Sequence, residues 1–231
     1  EVEVIYPLDE DDSCGVFTAD PFQGFQFLIT DDDGVNETTI VLVVNSDTLY
    51  YPEYMTYIGD VLTYNPPEEW YHGERVDFAV IEAEDTEGCP IIAPVECYFI
   101  VDLEPPKLQE HPSNCETLLT DTSSFVATWE IYEDYFESGI DLENTYFTIN
   151  EVDAPSGHTS YSSMGDYYEF TLSGSFGELG FYDYDTVEVC LVTMDLVLPD
   201  FSGPNETLYC CQFYLNNPPY AYYLYPAYDS I

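Results

Sequence analysis

Short runs of alternating apolar and polar residues recur along this chain, separated by clusters of Gly, Asp, Asn and Pro. A period of two is that of a strand with one face buried. It predicts strands at residues 3–6, 24–30, 38–44, 61–64, 75–84 and 95–102, and again at 123–132, 145–152, 167–172, 185–195 and 207–215. No segment carries the 3.6-residue period of an amphipathic helix. The apolar residues are also of the strand-forming kind, Val, Ile and Phe with 23 tyrosines. The expectation is an all-β protein.

One pattern occurs twice. Val76-Asp77-Phe78-Ala79-Val80-Ile81-Glu82 leads through a loop to Cys97-Tyr98-Phe99-Ile100-Val101 and ends at Pro105-Pro106. Val187-Glu188-Val189-Cys190-Leu191-Val192 leads to Cys211-Gln212-Phe213-Tyr214-Leu215 and ends at Pro218-Pro219. A long hairpin closed by a rigid joint, used twice in 231 residues, predicts two β-sandwich modules, 1–103 and 104–217. Six or seven short strands in each is the spacing of an immunoglobulin-like sandwich.

Residues 218–231 open what reads as a third copy, since Leu224-Tyr225-Pro226 matches Ile5-Tyr6-Pro7. Tyr220, Tyr222 and Leu224 share one face of this extra strand, and Ala221, Tyr223 and Tyr225 the other. Apolar residues on both faces suit a strand buried on both sides. The tail is therefore read either as the first strand of a following module or as a strand donated to a neighbouring copy of the chain.

Charge narrows the partners. The chain has 46 acidic residues against two basic ones, Arg75 and Lys107, for a net charge of −44. Hydrophobic residues still make up 45%, so this is not an acidic disordered tail. Spread over a compact surface, the charges would lie roughly 15 Å apart, against a Debye length of about 10 Å in 0.1 M salt. Divalent cations, a saline habitat or cationic partners must offset the repulsion. Nucleic acid is excluded, because binding it needs Lys and Arg. Anionic membrane surfaces are disfavoured on the same ground, and no transmembrane run is present.

Seven cysteines in a small β-rich chain point to an oxidising compartment, extracellular or at a cell surface. The repeat aligns Cys97 with Cys211 and places Cys14 and Cys115 early in each module. The simplest symmetric assignment is Cys14–Cys97 and Cys115–Cys211, with Cys190–Cys210 as an extra pair in module 2, where module 1 has Ala79 and Glu96. Other pairings stay open, and Cys89 is left over as a free thiol or a bond between chains. Two sequons, at Asn36 and Asn205, are candidate glycosylation sites. Glu1 reads as following a removed signal or as the start of a piece of a longer chain.

Together these motifs resemble tandem bacterial and archaeal Ig-like repeats of large surface proteins. Such repeats open with Pro-Pro and a short apolar strand. A mid-repeat Ser-Gly-Ile-Asp follows, here Ser138-Gly139-Ile140-Asp141, and the F strand closes on an Asp turn, here Glu84-Asp85 and Asp195. The joint Val101-Asp102-Leu103-Glu104-Pro105-Pro106 also resembles cadherin-type linkers, without the full cadherin calcium signature. The resemblance implies a structural repeat of an extracellular filament, sheath or surface protein that assembles with copies of itself.

Candidate chemistry follows from side chains that converge. Hard oxygen donors in loops suit Ca²⁺. The Asp31-Asp32-Asp33-Gly34 loop has the composition but not the spacing of an EF-hand, so Asp31 and Asp33 are candidates. Glu84, Asp85, Asp102 and Glu104 around the first joint are others, with Glu133, Asp134, Asp141 and Asp195 as their counterparts in module 2. With 46 acids, solvated surface is the competing reading of each cluster. Tyr50, Tyr51, Tyr54, Tyr57, Trp70 and Tyr71 are candidates for a sugar-stacking platform, which would make the chain an adhesin or glycan-binding module; core and interface are the alternatives. No catalytic residues are expected. His72, His111 and His158 lack zinc spacing, and Gly174-Ser175-Phe176-Gly177 lacks the five-residue spacing of a nucleophile elbow.

Overall fold

The computed structural model describes residues 1–9, 11, 13–90, 95–120, 124–134, 137–181 and 185–216. The assembly tail with Tyr220, Tyr222, Tyr223, Leu224 and Tyr225 lies outside the described residues. The chain divides into two compact units. The first comprises Glu1–Lys107, Tyr132–Thr145 and Thr193–Thr207; the second comprises Leu108–Ile131, Tyr146–Val192 and the chain from Leu208 onward.

In the first unit the strands are β1 (Val2–Tyr6), β2 (Val16–Thr18), β3 (Phe25–Ile29), β4 (Val35–Val44), β5 (Asp47–Tyr50), β6 (Met55–Ile58), β7 (Val61–Tyr64), β8 (Arg75–Asp85) and β9 (Val95–Val101). They form a four-stranded sheet in the order β1-β3-β7-β6 and a five-stranded sheet in the order β2-β9-β8-β4-β5. The opening stretch serves both sheets. β1 pairs antiparallel with β3, and β2 pairs parallel with β9. Lettered as an immunoglobulin domain, this is A-B-E-D against A′-G-F-C-C′.

The alternation read from the sequence is what the sheets use. Phe25, Phe27 and Ile29 of β3 point into the core while Gln26 and Leu28 are half-buried. Phe78 lies parallel to Phe25 with ring centroids 4.0 Å apart, and Phe27 meets it edge-on at 5.7 Å. Truncating Phe78 to Ala would open a cavity among these rings, a change that costs about 3–5 kcal/mol. Val197 and Phe201 also join this core, Phe201 on a short 3-10 turn, Pro199–Phe201, and 5.8 Å from the Tyr6 ring.

The second sandwich is built from β10 (Lys107–Glu110), β11 (Leu118–Leu119), β12 (Phe125–Tyr132), β13 (Tyr146–Ile149), β14 (Val152–Asp153), β15 (Thr159–Ser163), β16 (Tyr168–Gly174), β17 (Thr186–Met194) and β18 (Glu206–Leu215). Its sheets run β10-β12-β16-β15 and β11-β18-β17-β13-β14, the same order as the first. Again the opening stretch divides, with β11 parallel to β18. Phe125, Ala127, Trp129 and Ile131 of β12 alternate inward. Trp129 is fully buried against Phe147, 5.1 Å away, and Phe125 packs edge-on to Phe181 and Phe213. Both sandwiches are thus immunoglobulin-like, and the fold is all-β.

Disulfides join Cys14 to Cys97, Cys115 to Cys211 and Cys190 to Cys210. The first two tie the A′ region to the G strand of their own sandwich. The third crosses the F and G strands of the second. Ala79 and Glu96 are direct cross-strand partners in the first sandwich, so the same position there has no bond. Cys89 is free and exposed.

Candidate cation site

Three stretches of the first unit bring carboxylates together: 102–107 after β9, 133–141 after β12, and 193–205 around the end of β17. Asp102 and Asp195 are 0% and 1% exposed, and the Glu137 side chain is fully buried. Buried carboxylates are rare unless paired, and backbone amides hold these in place. Ser138 N–H donates to Asp102 Oδ2 at 2.8 Å, and the next amide, Gly139 N–H, donates to Glu133 Oε2 at 2.5 Å. Two successive amides aimed at two acids form an anion-holding nest. Gly139 has φ +98°, a conformation that favours glycine, which explains the Gly of the Ser-Gly-Ile-Asp motif. Ile140 then bridges to Asp195, and Asp141 N–H donates to Met194 O.

Asp195 caps the end of β17. Its Oδ1 accepts the N–H of Val197 and of Asn205, and its Oδ2 accepts Asn205 Nδ2 at 2.6 Å. Asn205 Nδ2 also donates to the Asp102 carbonyl at 2.9 Å. Both hydrogens of that amide are therefore engaged, and a glycan on the same nitrogen would have to break one of these bonds. In the folded chain these bonds compete with a glycan at the Asn205 sequon. Asn36 accepts Thr38 Oγ1 at 2.7 Å.

The cluster holds one cation of its own. Lys107, the only lysine of the chain, places Nζ 2.6 Å from Glu137, 2.7 Å from Asp134 and 2.9 Å from Glu104. Burial alone would lower its pKa, but the hydrogen bonds to Asp134, Glu137 and Glu104 outweigh it and hold the ammonium charged. His72 lies beside it. Its Nδ1 accepts the Leu103 N–H at 3.1 Å, which leaves the ring proton on Nε2, 3.3 Å from Glu137 Oε1.

Lys107 does not reach everything. Glu133 Oε1 is buried without a hydrogen-bond partner. Burial pushes the Glu133 carboxyl up to about 8; the Gly139 amide opposes this, and the charges of Asp102, Asp195 and Glu137 add to it. Burial likewise raises Asp195 to about 6, against the hydrogen bonds from Asn205 and Val197 and with the Asp102 charge adding to the rise. The group is short of positive charge, a deficit that a bound cation would relieve.

The structure divides the other sequence candidates. Glu84 and Asp85 do not join Asp102 and Glu104. In the β8–β9 hairpin Arg75 pairs with Ile100, so the far end of β8 is carried away from residue 102 by ten residues, roughly 33 Å of strand. Asp85 instead lies with Asp31 and Asp33, their donor atoms within 4.8 Å of one another. Its Oδ1 already accepts the N–H of Glu87 and Cys89, and the Cys89 amide is the main reason its pKa is lowered. The three candidate carboxylates therefore converge as an ion site needs, with Asp85 Oδ1 already shared with backbone amides. Glu84 is exposed and bridges to Pro90. Asp141 accepts the Glu143 and Asn144 N–H groups in a local turn. Glu188 lies with Cys190 and Cys210, whose sulfurs are bonded to each other. Sequence reasoning missed Glu137, His72, Lys107 and Asn205. Lys107 carried the one available signal, as a rare base beside the Pro-Pro joint.

No protein-family model and no curated protein matches the chain. Solved structures that resemble it include the D00–D0 domain of intimin (11% identity, 92% of this chain and 99% of that one, TM-score 0.35). A chimeric titin Z1Z2-Z1Z2 tandem carrying a fibronectin GRGDS peptide is another (9% identity, 93% and 99%, TM-score 0.33). Tandem Ig repeats of Dlar are a third (14% identity, 93% and 97%, TM-score 0.29). Likeness at this level adds nothing to the fold already read from the strand order. The three disulfides fit an oxidising compartment such as the extracellular space or a cell surface. Among the described residues no helix is long and apolar enough to cross a membrane.

Proposed function

We propose that the chain is a structural repeat segment of an extracellular filament, sheath or large surface protein of prokaryotic type, and that a divalent cation, calcium by the chemistry of its donors, completes the buried carboxylate cluster. The observation that carries the cation reading is Glu133 Oε1, an acceptor buried without a partner among the charges of Asp102, Asp195 and Glu137. All four groups offer hard oxygens, which suit Ca²⁺ or Mg²⁺ and not the softer transition metals. Glu133 would be the first ligand of the ion, which would supply the positive charge that Lys107 alone does not. Asp102, Glu137 and Asp195 stand near enough to add their charge, but their donor atoms would have to close in to ligate it, since only Glu137 already belongs to a converged group, with His72 and Glu104.

The structural reading rests on how the residues are used. Both sandwiches use their cysteines as crosslinks and their aromatics largely as core, and the closing strands as cover for that core. In a filament the tail at 220–231 would dock as a strand onto a neighbouring copy. Deleting it is expected to leave folded particles that no longer polymerise; unchanged assembly would reject that step.

Calorimetric melts with Ca²⁺ and with NaCl of matched ionic strength test the cation reading. A specific site raises Tm at low millimolar Ca²⁺ beyond what NaCl gives, by the linkage of binding to folding. The gain should shrink in Glu133→Gln and Asp195→Asn and persist in Asp141→Asn. Equal gains from the two salts, or an undiminished gain in Glu133→Gln, would reject it.

A further inference from the structure

A cavity of about 270 Å³ opens in the first unit beside the turn joining β4 to β5. Tyr54, Tyr64, Trp70 and Tyr71 line it, together with the carboxylates of Asp47, Glu68, Glu69 and Glu74, and none of its lining residues is Lys, Arg or His. The wall is fixed. Glu74 accepts Asn45 Nδ2 at 3.2 Å through Oε1 and the Tyr71 N–H at 3.0 Å through Oε2. Asn45 in turn is tied to Asp77 through both its backbone N–H and its Oδ1. Tyr64 forms the floor, 3% exposed and stacked on Phe25 at 4.7 Å. Tyr54 stands at the mouth, half-exposed, with φ +55°, a backbone conformation rare for a bulky residue and common at ligand clamps.

The charge of the rim argues against the flat sugar platform that the sequence offers as one candidate. Trp70 donates its indole N–H to the Gln23 carbonyl at 2.9 Å and meets the Phe99 ring at 72° with centroids 6.3 Å apart, so its ring is held in one orientation. The rim is one-sided in charge, with acceptors from four carboxylates and no basic side chain. Aromatic rings carry negative faces, and with carboxylates around them they select positive charge. The unit uses this chemistry elsewhere: the Arg75 guanidinium lies 3.7 Å over the Tyr98 ring while its Nη2 reaches Asp77 at 2.7 Å.

We propose that this cavity binds an organic cation, an alkylammonium group small enough for 270 Å³, with Tyr54, Trp70 and Tyr71 around the alkyl part and Glu69 and Glu74 facing the ammonium. The shared chemistry has two sources, a free diamine or the side chain of a lysine on a peptide. The test is titration calorimetry on the whole chain in 0.15 M NaCl with putrescine, with N-acetyl-lysine amide, with neutral butanol as the uncharged control, and with cellopentaose. Saturable binding of either ammonium, absent for butanol and weakened about tenfold in Tyr54→Ala and in Glu69→Gln, is expected. Tighter binding of the lysine amide than of putrescine assigns the site to a protein partner, and the reverse order to a free diamine. Binding undiminished in both variants is counter-ion condensation on an acidic surface and overturns the proposal. So does no saturation up to 10 mM, or a preference for cellopentaose. Thermal melts of the two variants, compared with wild type, keep a folding defect from passing as lost binding.

Discussion

Lys107 Nζ lies 2.6 Å from Glu137 Oε1, and the Glu137 side chain is completely buried. In a chain with one lysine, that cation sits on an acid whose side chain does not reach water. Its removal leaves Glu137 buried without its main counter-charge. Lys107→Met is expected to cost about 2–3 kcal/mol, a little under the range of about 3–5 kcal/mol for breaking a fully buried pair, because Lys107 is partly exposed. That corresponds to a fall in Tm of roughly 5–10 °C. The double variant Lys107→Met/Glu137→Gln should recover at least half of the loss. Calorimetry in low salt checks this, and equal stabilities of the single and double variants would show that the pair is not coupled.

The pH dependence in chelator has a definite sign. Glu133 and Asp195 take up protons more readily folded, with pKa values of about 8 and about 6, than unfolded, at 4.5 and 3.8. The stability they contribute is complete below about pH 4 and is lost as pH rises through about 6 and then about 8. Without divalent cations, Tm should therefore decline from pH 5 to pH 8.5, and Glu133→Gln should flatten the upper part of that decline. A metal-loaded sample should show a shallower slope. A Tm that rises across the same window in chelator would contradict the assignment of these two groups.

The three crosslinks differ in the length of chain they close. Spans of 83 and 96 residues against 20 give about 4.6, about 4.7 and about 3.3 kcal/mol from loop entropy. Cys190→Ala/Cys210→Ala should be the mildest pair to remove, and the Ala79–Glu96 pair shows the same sandwich built without it. Denaturant titration of the three double variants gives the order directly.

Glycan occupancy separates the two sequons. Expression in a glycosylating host should yield modification at Asn36 and none at Asn205, whose amide bridges Asp102 and Asp195. Peptide mass spectrometry reads the outcome, and occupancy at Asn205 equal to that at Asn36 would show that the Asp102–Asn205–Asp195 bridge does not protect the site.

Much of the architecture was visible as period-two alternation. β3, β9 and β12 bury every second residue, and each was read correctly as a strand. The short edge strands were not. All five residues of β15 are exposed and polar or aromatic, so no buried face left an alternating trace. β5 and β6 lie in a tyrosine-rich stretch that reads equally well as loop. The carboxylate cluster was half-visible. Asp102, Glu133 and Asp195 stood out by their place in the repeat, but Glu137 and His72 had no repeat partner to mark them. Nearness in the motif groups Glu84 and Asp85 with the joint, but hairpin direction separates them from it, because an antiparallel turn sends the two ends of a strand to opposite poles.

The Cys14–Cys97 link has a consequence under traction. A force that pulls the chain apart enters at residue 14 and leaves at residue 97 through sulfur, and everything between them carries no load. Roughly 270 Å of contour length in this loop, and roughly 320 Å behind Cys115–Cys211, are withheld from extension however hard the ends are drawn. Only a reducing agent would release that slack.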